Sequence, residues 1–150
     1  MIHYQLAKHL HGLGFSLLPL AAKVPTVKWK RLQGVRCTES DLHTWFAEHD
    51  WRPGIITGGL SGVVVVDCDD HATAAGIVRA GWGSPTQQAT RRGRHFVFRH
   101  PGQHTRNRRR VGGVPVDIRG DGGYVVAYDD AAAWTAHGIA AAPIYSEPRM

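Results

Sequence analysis

The 150-residue chain is poor in cysteine and has no long apolar run. Cys37 and Cys68 stand far apart and form no C-x-x-C pair, which excludes a disulfide framework and a zinc module of ordinary spacing. One bridge between the two stays possible, but a reducing cytoplasm is the simpler reading. No uninterrupted apolar stretch approaches the roughly 20 residues of a membrane-spanning helix, so no membrane partner is expected. The N-terminal stretch fails as a signal peptide because Lys8 and several histidines break its apolar part. Acid is scarce as well, with 12 Asp and Glu against 18 Lys and Arg and a formal net charge of +6. Between Arg91 and Arg110 there are eight arginines and no acid.

What is present describes a folded chain. Hydrophobic residues make up 43% and charged residues 20%, which excludes wholesale disorder. The length suits one compact domain over residues 1–150. The basic balance favours an anionic partner such as nucleic acid or nucleotides, and arginine, the majority cation, has the planar fork that suits phosphate.

Ile2, Leu6, Leu10 and Leu13 space as an amphipathic helix that Gly12 and Gly14 would end. Residues 15–20 read as a strand, and residues 21–32 as a basic loop holding Pro25 and Trp29. Thr38 and Asp41 resemble a capping box before a helix that buries Leu42, Trp45 and Phe46. Strands follow. Residues 54–57 form a short one, and Val63 to Val66 are β-branched throughout, as in a central strand buried on both faces. Residues 71–80 read as a helix. Residues 87–90, 95–99 and 114–119 read as strands, the first two joined by a hairpin turn at 91–94, and 120–123 lead into a further strand at 124–128. The last 20 residues, Ala-rich with a Pro-containing end, carry no clear pattern. The sum is an α+β (α/β) chain with an N-terminal helical part and a mostly antiparallel sheet later on.

The chemistry gathers on three strands. Val63–Val66 run directly into Asp67-Cys68-Asp69-Asp70. Residues two apart on a strand share a face, so Asp67 and Asp69 point together. Two close carboxylates repel unless a cation joins them, and oxygen ligands suit Mg2+ or Mn2+. Asp70 reads instead as the cap of the following helix. In residues 114–119, Val116 and Ile118 face the core while Asp117 and Arg119 share the other face. Phe96 and Phe98 pack inward and leave His95 opposite. If these strands are neighbours, three carboxylates, an imidazole and a guanidinium converge. Such acids can hold one or two ions for phosphoryl transfer, while His95 and an arginine grip triphosphate oxygens.

In order and spacing, Asp67-Cys68-Asp69, Gly93-Arg94-His95 and Val116-Asp117 resemble the D-x-D/E, small-x-His and hydrophobic-Asp motifs of the bifunctional DNA primase/polymerase N-terminal (prim-pol) domain of the archaeo-eukaryotic primase superfamily. The flanks agree: Lys23-Val24-Pro25 with Trp29 downstream, Gly54-Ile55-Ile56-Thr57-Gly58, and Asp117-Ile118-Arg119-Gly120 before Gly122-Gly123-Tyr124-Val125-Val126. The likeness spans most of residues 1–145. It implies a primase core with a mixed or antiparallel RRM-like sheet and an N-terminal α/β unit. It implies a nucleotidyltransferase that makes or extends primers on single-stranded DNA from dNTPs or NTPs, as in the replication of plasmids and phages. Asp67, Asp69 and Asp117 would bind Mg2+ or Mn2+ in a two-metal site, His95 would contact the incoming phosphates, and Arg119 and Lys23 would touch nucleotide or template. Where the family often continues Pro-Pro-Ser after Gly-Gly-Tyr-Val-Val-Ala, this chain has Tyr128-Asp129-Asp130. Either a separate helicase would supply unwinding and primer initiation, or the enzyme is a minimal, polymerase-only one.

Arg106, Arg108, Arg109 and Arg110, in the segment 104–110, are expected to make flexible template or primer contacts. Two other readings stay open: a metal-dependent nuclease, which shortens DNA without nucleoside triphosphates, and a non-catalytic nucleic-acid-binding replication module, whose binding is salt-sensitive and needs no divalent ion.

Overall fold

The structure is a computed structural model that describes residues 2–147. Of the Pro-containing end, Pro148 lies outside the described residues. Helix α1 (Ile2–Gly12) leads to strands β1 (Leu17–Ala21) and β2 (Val24–Pro25). A short helix α2 (Glu39–Leu42) runs on into a π-helical turn at His43–Ala47. Then come β3 (Arg52–Ile56), β4 (Val63–Cys68), α3 (His71–Arg79), β5 (Gln87–Ala89), β6 (Arg94–Arg99), β7 (Val116–Arg119), β8 (Tyr124–Val126) and α4 (Ala136–Ala141).

The strands form two four-stranded antiparallel sheets, ordered β2-β1-β3-β8 and β5-β6-β4-β7. The fold is mixed α+β. The later strands divide between the two sheets: β8 follows β7 in the chain but pairs with β3 in the first sheet. The turn at 120–123 makes this crossing. Gly120 packs so tightly that a Cβ there would stand 2.1 Å from the Thr105 carbonyl oxygen.

Local sequence explains the elements. Thr38 and Asp41 close the reciprocal capping box of α2, and the Asp70 carboxylate accepts the Thr73 N–H at 2.7 Å to cap α3. Pro19 and Pro53 stand opposite each other in the β1–β3 ladder, with their carbonyls turned outward to the N–H groups of Thr26 and Ala127. Their missing N–H groups therefore cost the ladder no bond.

Two cores explain β4. Val63 and Val65 join Val97, Leu17, Ile55, Ile56 and the α1 residues Leu6 and Leu10 between the sheets. Val64 and Val66 pack with Phe96, Ile118 and Ala74 under α3. All four valines are buried, each worth roughly 1.5–3 kcal/mol relative to exposure. Ile2 departs from the expected stripe. It is 72% exposed, because it lies in the first turn of α1, beyond the core edge. Cys37 and Cys68 are both buried free thiols.

Candidate active site

The β4 alternation that buries Val63 and Val65 between the sheets places Asp67 on the same side, where the sheets part. Three ladders then set one row across the second sheet. Gln88 of β5 pairs with His95 of β6, His95 with Asp67 of β4, and Asp67 with Asp117 of β7. Residues remote in sequence are thereby brought side by side.

Asp67, His95 and Asp117 of this row floor a cavity of about 640 Å³, lined also by Lys23, Trp29, Asp69, Arg109, Arg119 and, from the first sheet, Tyr124. That size suits a small-molecule ligand. An apolar cavity of about 430 Å³ lies on the opposite face, among Val66, Ile77, Trp82, Val116 and Ile118. It has no titratable group, so the chemistry belongs to the polar cavity.

The half-buried acids are held by cations and N–H donors. His95 Nε2 lies 3.3 Å from Asp67 Oδ1. Arg119 Nη2 is 3.0 Å from Asp117 Oδ2 and 3.7 Å from Asp67 Oδ2. The Arg110 N–H donates to Asp117 Oδ1 at 2.8 Å, from a backbone turned to φ 45°, a costly setting for a residue with a side chain. Burial pushes the Asp67 carboxyl up, but the His95 hydrogen bond and the charges of Arg119 and Lys23 outweigh it and hold it below the usual carboxylate range. On the other face, burial and the neighbouring acids push the Cys68 thiol up to about 12, so it is neither a nucleophile nor a ready ligand.

The small residue two places before His95 has a steric cause. A Cβ on Gly93 would stand 1.9 Å from the Cys68 carbonyl oxygen. Only glycine lets β6 lie close enough to β4 at that end for His95 to reach Asp67.

A model of the prim-pol family, described as the N-terminal domain of bifunctional DNA primase/polymerases, matches residues 7–143. The chain belongs to this family. No curated protein matches it. A primase/polymerase-type nucleic-acid enzyme family is therefore the frame for the cavity.

Within this prim-pol chain the candidate residues are distributed unevenly. Asp67, His95, Asp117 and Arg119 form one chain of contacts. Lys23 and Asp69 line the same cavity. The β4 ladder stops at Cys68, and Asp69 begins a turn, its N–H bound to the Pro115 carbonyl. Asp69 is exposed and makes no ion pair among the described residues. No three His, Cys, Asp or Glu side chains converge tightly among the described residues either.

The segment 104–110 is not a loose loop. Arg108 exchanges both backbone bonds with Ile118 at 2.9 and 2.8 Å, and its guanidinium meets Glu147 at 2.6 Å. The Asn107 side chain accepts from the Gly120 N–H and donates to the Asp121 carbonyl. The edge of β7 offers this segment partners. Arg106 and Arg109 stay exposed, Arg109 at the cavity.

Sequence reasoning passed over Gln88, Asn107 and Tyr128. Tyr128 stands where the family often has proline, with its ring 6.1 Å from that of His95 and under the Arg52 guanidinium. The hairpin turn at 91–94 was signal enough to set Gln88 opposite His95. Nothing local marked Asn107, whose partners Gly120 and Asp121 lie in the turn after β7, and Tyr128 showed only as a departure from the family's Pro-Pro-Ser.

Proposed function

We propose that this chain is a template-dependent nucleotidyltransferase that makes or extends primers on single-stranded DNA from dNTPs or NTPs. The observation that carries the reading is the meeting of Asp67, Asp117, His95 and Arg119 in one open polar cavity between the sheets.

The donor set fits a divalent ion. Two carboxylates face each other across one register with a guanidinium between them, so the pair already demands positive charge. Asp67 and Asp117 would hold Mg2+ or Mn2+, with Asp69 available from the same wall. The ions would lower the pKa of the attacking hydroxyl and neutralise charge on the transferring phosphoryl group, as in two-metal catalysis.

The chain's own residues do the rest. His95 Nε2–H, Arg119 and Lys23 are donors for triphosphate oxygens. Arg106 and Arg109, with weaker roles for Arg108 and Arg110, bind the template or primer backbone. Trp29 and Tyr124, edge to face with centroids 5.2 Å apart, form an aromatic wall against which a base can stack. Residues 1–150 act as one catalytic domain in the cytoplasm, in the replication of a mobile element.

The test is incorporation of labelled dNTP or NTP on primed and unprimed single-stranded DNA with Mg2+ or Mn2+. Asp67→Asn and Asp117→Asn should each lose at least about a hundredfold in rate, since metal charge stabilisation is worth several kcal/mol. Full activity in either variant overturns the ligand assignment. Shortening of DNA without nucleoside triphosphates would favour the nuclease reading. Salt-sensitive binding without turnover or metal would favour the binding module.

A further inference from the structure

We propose that Gln88 is a positioning residue that fixes which nitrogen of His95 carries its proton, so that Nε2–H points into the cavity as a donor to phosphate oxygen. What His95 meets there rests on the nucleotidyl-transfer reading. The positioning itself rests on Gln88.

Gln88 is fully buried. A buried amide is costly unless every donor and acceptor is met, and all of its groups are met. The Tyr128 N–H donates to Gln88 Oε1 at 2.8 Å. Gln88 Nε2 donates to the Val126 carbonyl at 2.8 Å and lies 2.8 Å from His95 Nδ1.

The two backbone partners leave the amide one orientation. A backbone N–H can only donate and a carbonyl can only accept. Turning the amide over would set donor against donor and acceptor against acceptor at full burial. Gln88 Nε2 is therefore a donor toward His95, and Nδ1 must meet it with a lone pair. The ring N–H is then at Nε2, the atom 3.3 Å from Asp67 Oδ1 and on the cavity side.

The choice of amide over carboxylate carries the meaning. A carboxylate behind a histidine accepts from Nδ1–H and leaves Nε2 a lone pair, the arrangement of a general base. An amide N–H behind it does the reverse. With Gln88 in place, His95 Nε2 is a donor: it faces Asp67 Oδ1 in this structure, and the same N–H would turn to a phosphate oxygen when nucleotide is bound, a role that suits an anionic oxygen and not proton abstraction. Since Gln88 also ties β5 to Val126 and Tyr128 beyond the cavity, it holds the imidazole ring between the two sheets.

The experiment is a side-chain nitrogen–proton correlation spectrum of His95 in the full chain at one pH, for the native protein and for Gln88→Glu. The native ring should show a protonated Nε2 and an unprotonated Nδ1. The Gln88→Glu substitution keeps the size and the acceptor for Tyr128 while presenting a carboxylate oxygen to Nδ1, so Nδ1 should gain a proton signal. Incorporation kinetics on the same proteins should show KM for the nucleotide raised about tenfold or more in Gln88→Glu, the scale of a lost hydrogen bond to a charged group. The kcat should fall less, and affinity for primed DNA should stay within about twofold.

A native ring protonated at Nδ1 overturns the proposal without any variant. An unchanged ring in folded Gln88→Glu overturns it too. A moved proton with nucleotide KM unchanged overturns the orientation toward phosphate. If the native protein incorporates nothing, the nucleotidyl-transfer reading fails, while the ring signals still decide whether Gln88 positions His95.

Discussion

Asp67 and Asp117 stand directly opposite each other in the β4–β7 ladder. Like charges in that position destabilise a sheet, and here Arg119 offsets the repulsion from 3.0 and 3.7 Å. Without a metal, Arg119 serves as the cation of the pair. Arg119→Ala should therefore lower the melting temperature in EDTA. A half-buried charged partner lost costs about 1–3 kcal/mol, or roughly 3–8 °C at this chain length. Mn2+ should raise the melting temperature of this variant more than that of the native protein. The double variant Asp67→Asn, Asp117→Asn should show no Mn2+ shift, and a full shift there would remove both residues from the ligand set.

Gly93 makes a second claim testable, that strand proximity and not chemistry explains the small residue before His95. In Gly93→Ala the new Cβ would collide with the Cys68 backbone, which cannot swing away as a side chain can. The expected loss is about 3 kcal/mol or more by denaturant titration, the upper end of overpacking costs. Gly12→Ala is the control. Nothing lies within 4 Å of a Cβ there and its φ is not positive, so it should be neutral or gain a few tenths to about 1 kcal/mol. A Gly93→Ala variant as stable as the native chain would show that β4 and β6 can part at no cost.

Much of this site was legible because strand chemistry is periodic. Four β-branched residues ending in Asp67 announce a doubly buried strand whose exit is polar, and the alternation in Val116, Asp117, Ile118 and Arg119 separates core from cavity face. What the chain order hid is pairing at a distance. The crossing of β8 to the first sheet puts Val126 and Tyr128 over the row that β5, β6, β4 and β7 form, and no local pattern encodes it. The same reason concealed the pinning of Arg108, whose partners are Ile118 and Glu147. A run of arginines reads as solvated loop until the strand beside it is known.

The exposed arginines give a graded prediction for DNA binding. Arg108 is already engaged by Glu147, whereas Arg106 and Arg109 are exposed and make no ion pair among the described residues. Each phosphate contact to single-stranded DNA contributes about 0.7 to the slope of log affinity against log salt. The double variant Arg106→Ala, Arg109→Ala should flatten that slope by about 1.4 in fluorescence anisotropy with a labelled oligonucleotide. Arg108→Ala should change it by less than half as much. Equal slopes for the double variant and the native protein would place the DNA path elsewhere.

Asp121 sets the acid limit of the fold around the cavity. It accepts from the Thr105 N–H at 2.8 Å and the Gly59 N–H at 2.9 Å, with His100 Nε2 at 3.0 Å and His104 Nδ1 at 3.8 Å facing the same carboxylate. Partial burial pushes its pKa up, but the two backbone bonds and His100 prevail and hold it at about 2, against an ordinary value of 3.8. A carboxyl depressed on folding stabilises the folded state above its unfolded pKa. That contribution is whole from about pH 5 upward and is lost as the pH falls through 3.8 toward 2. After allowance for its partial exposure it amounts to about 1–2 kcal/mol. Asp121→Asn should lose about that much stability near neutral pH and show a correspondingly weaker decline between about pH 4.5 and 2.5. An Asp121→Asn chain whose stability falls as steeply in acid as the native one would mean that other carboxylates, Asp67 first among them, set the limit.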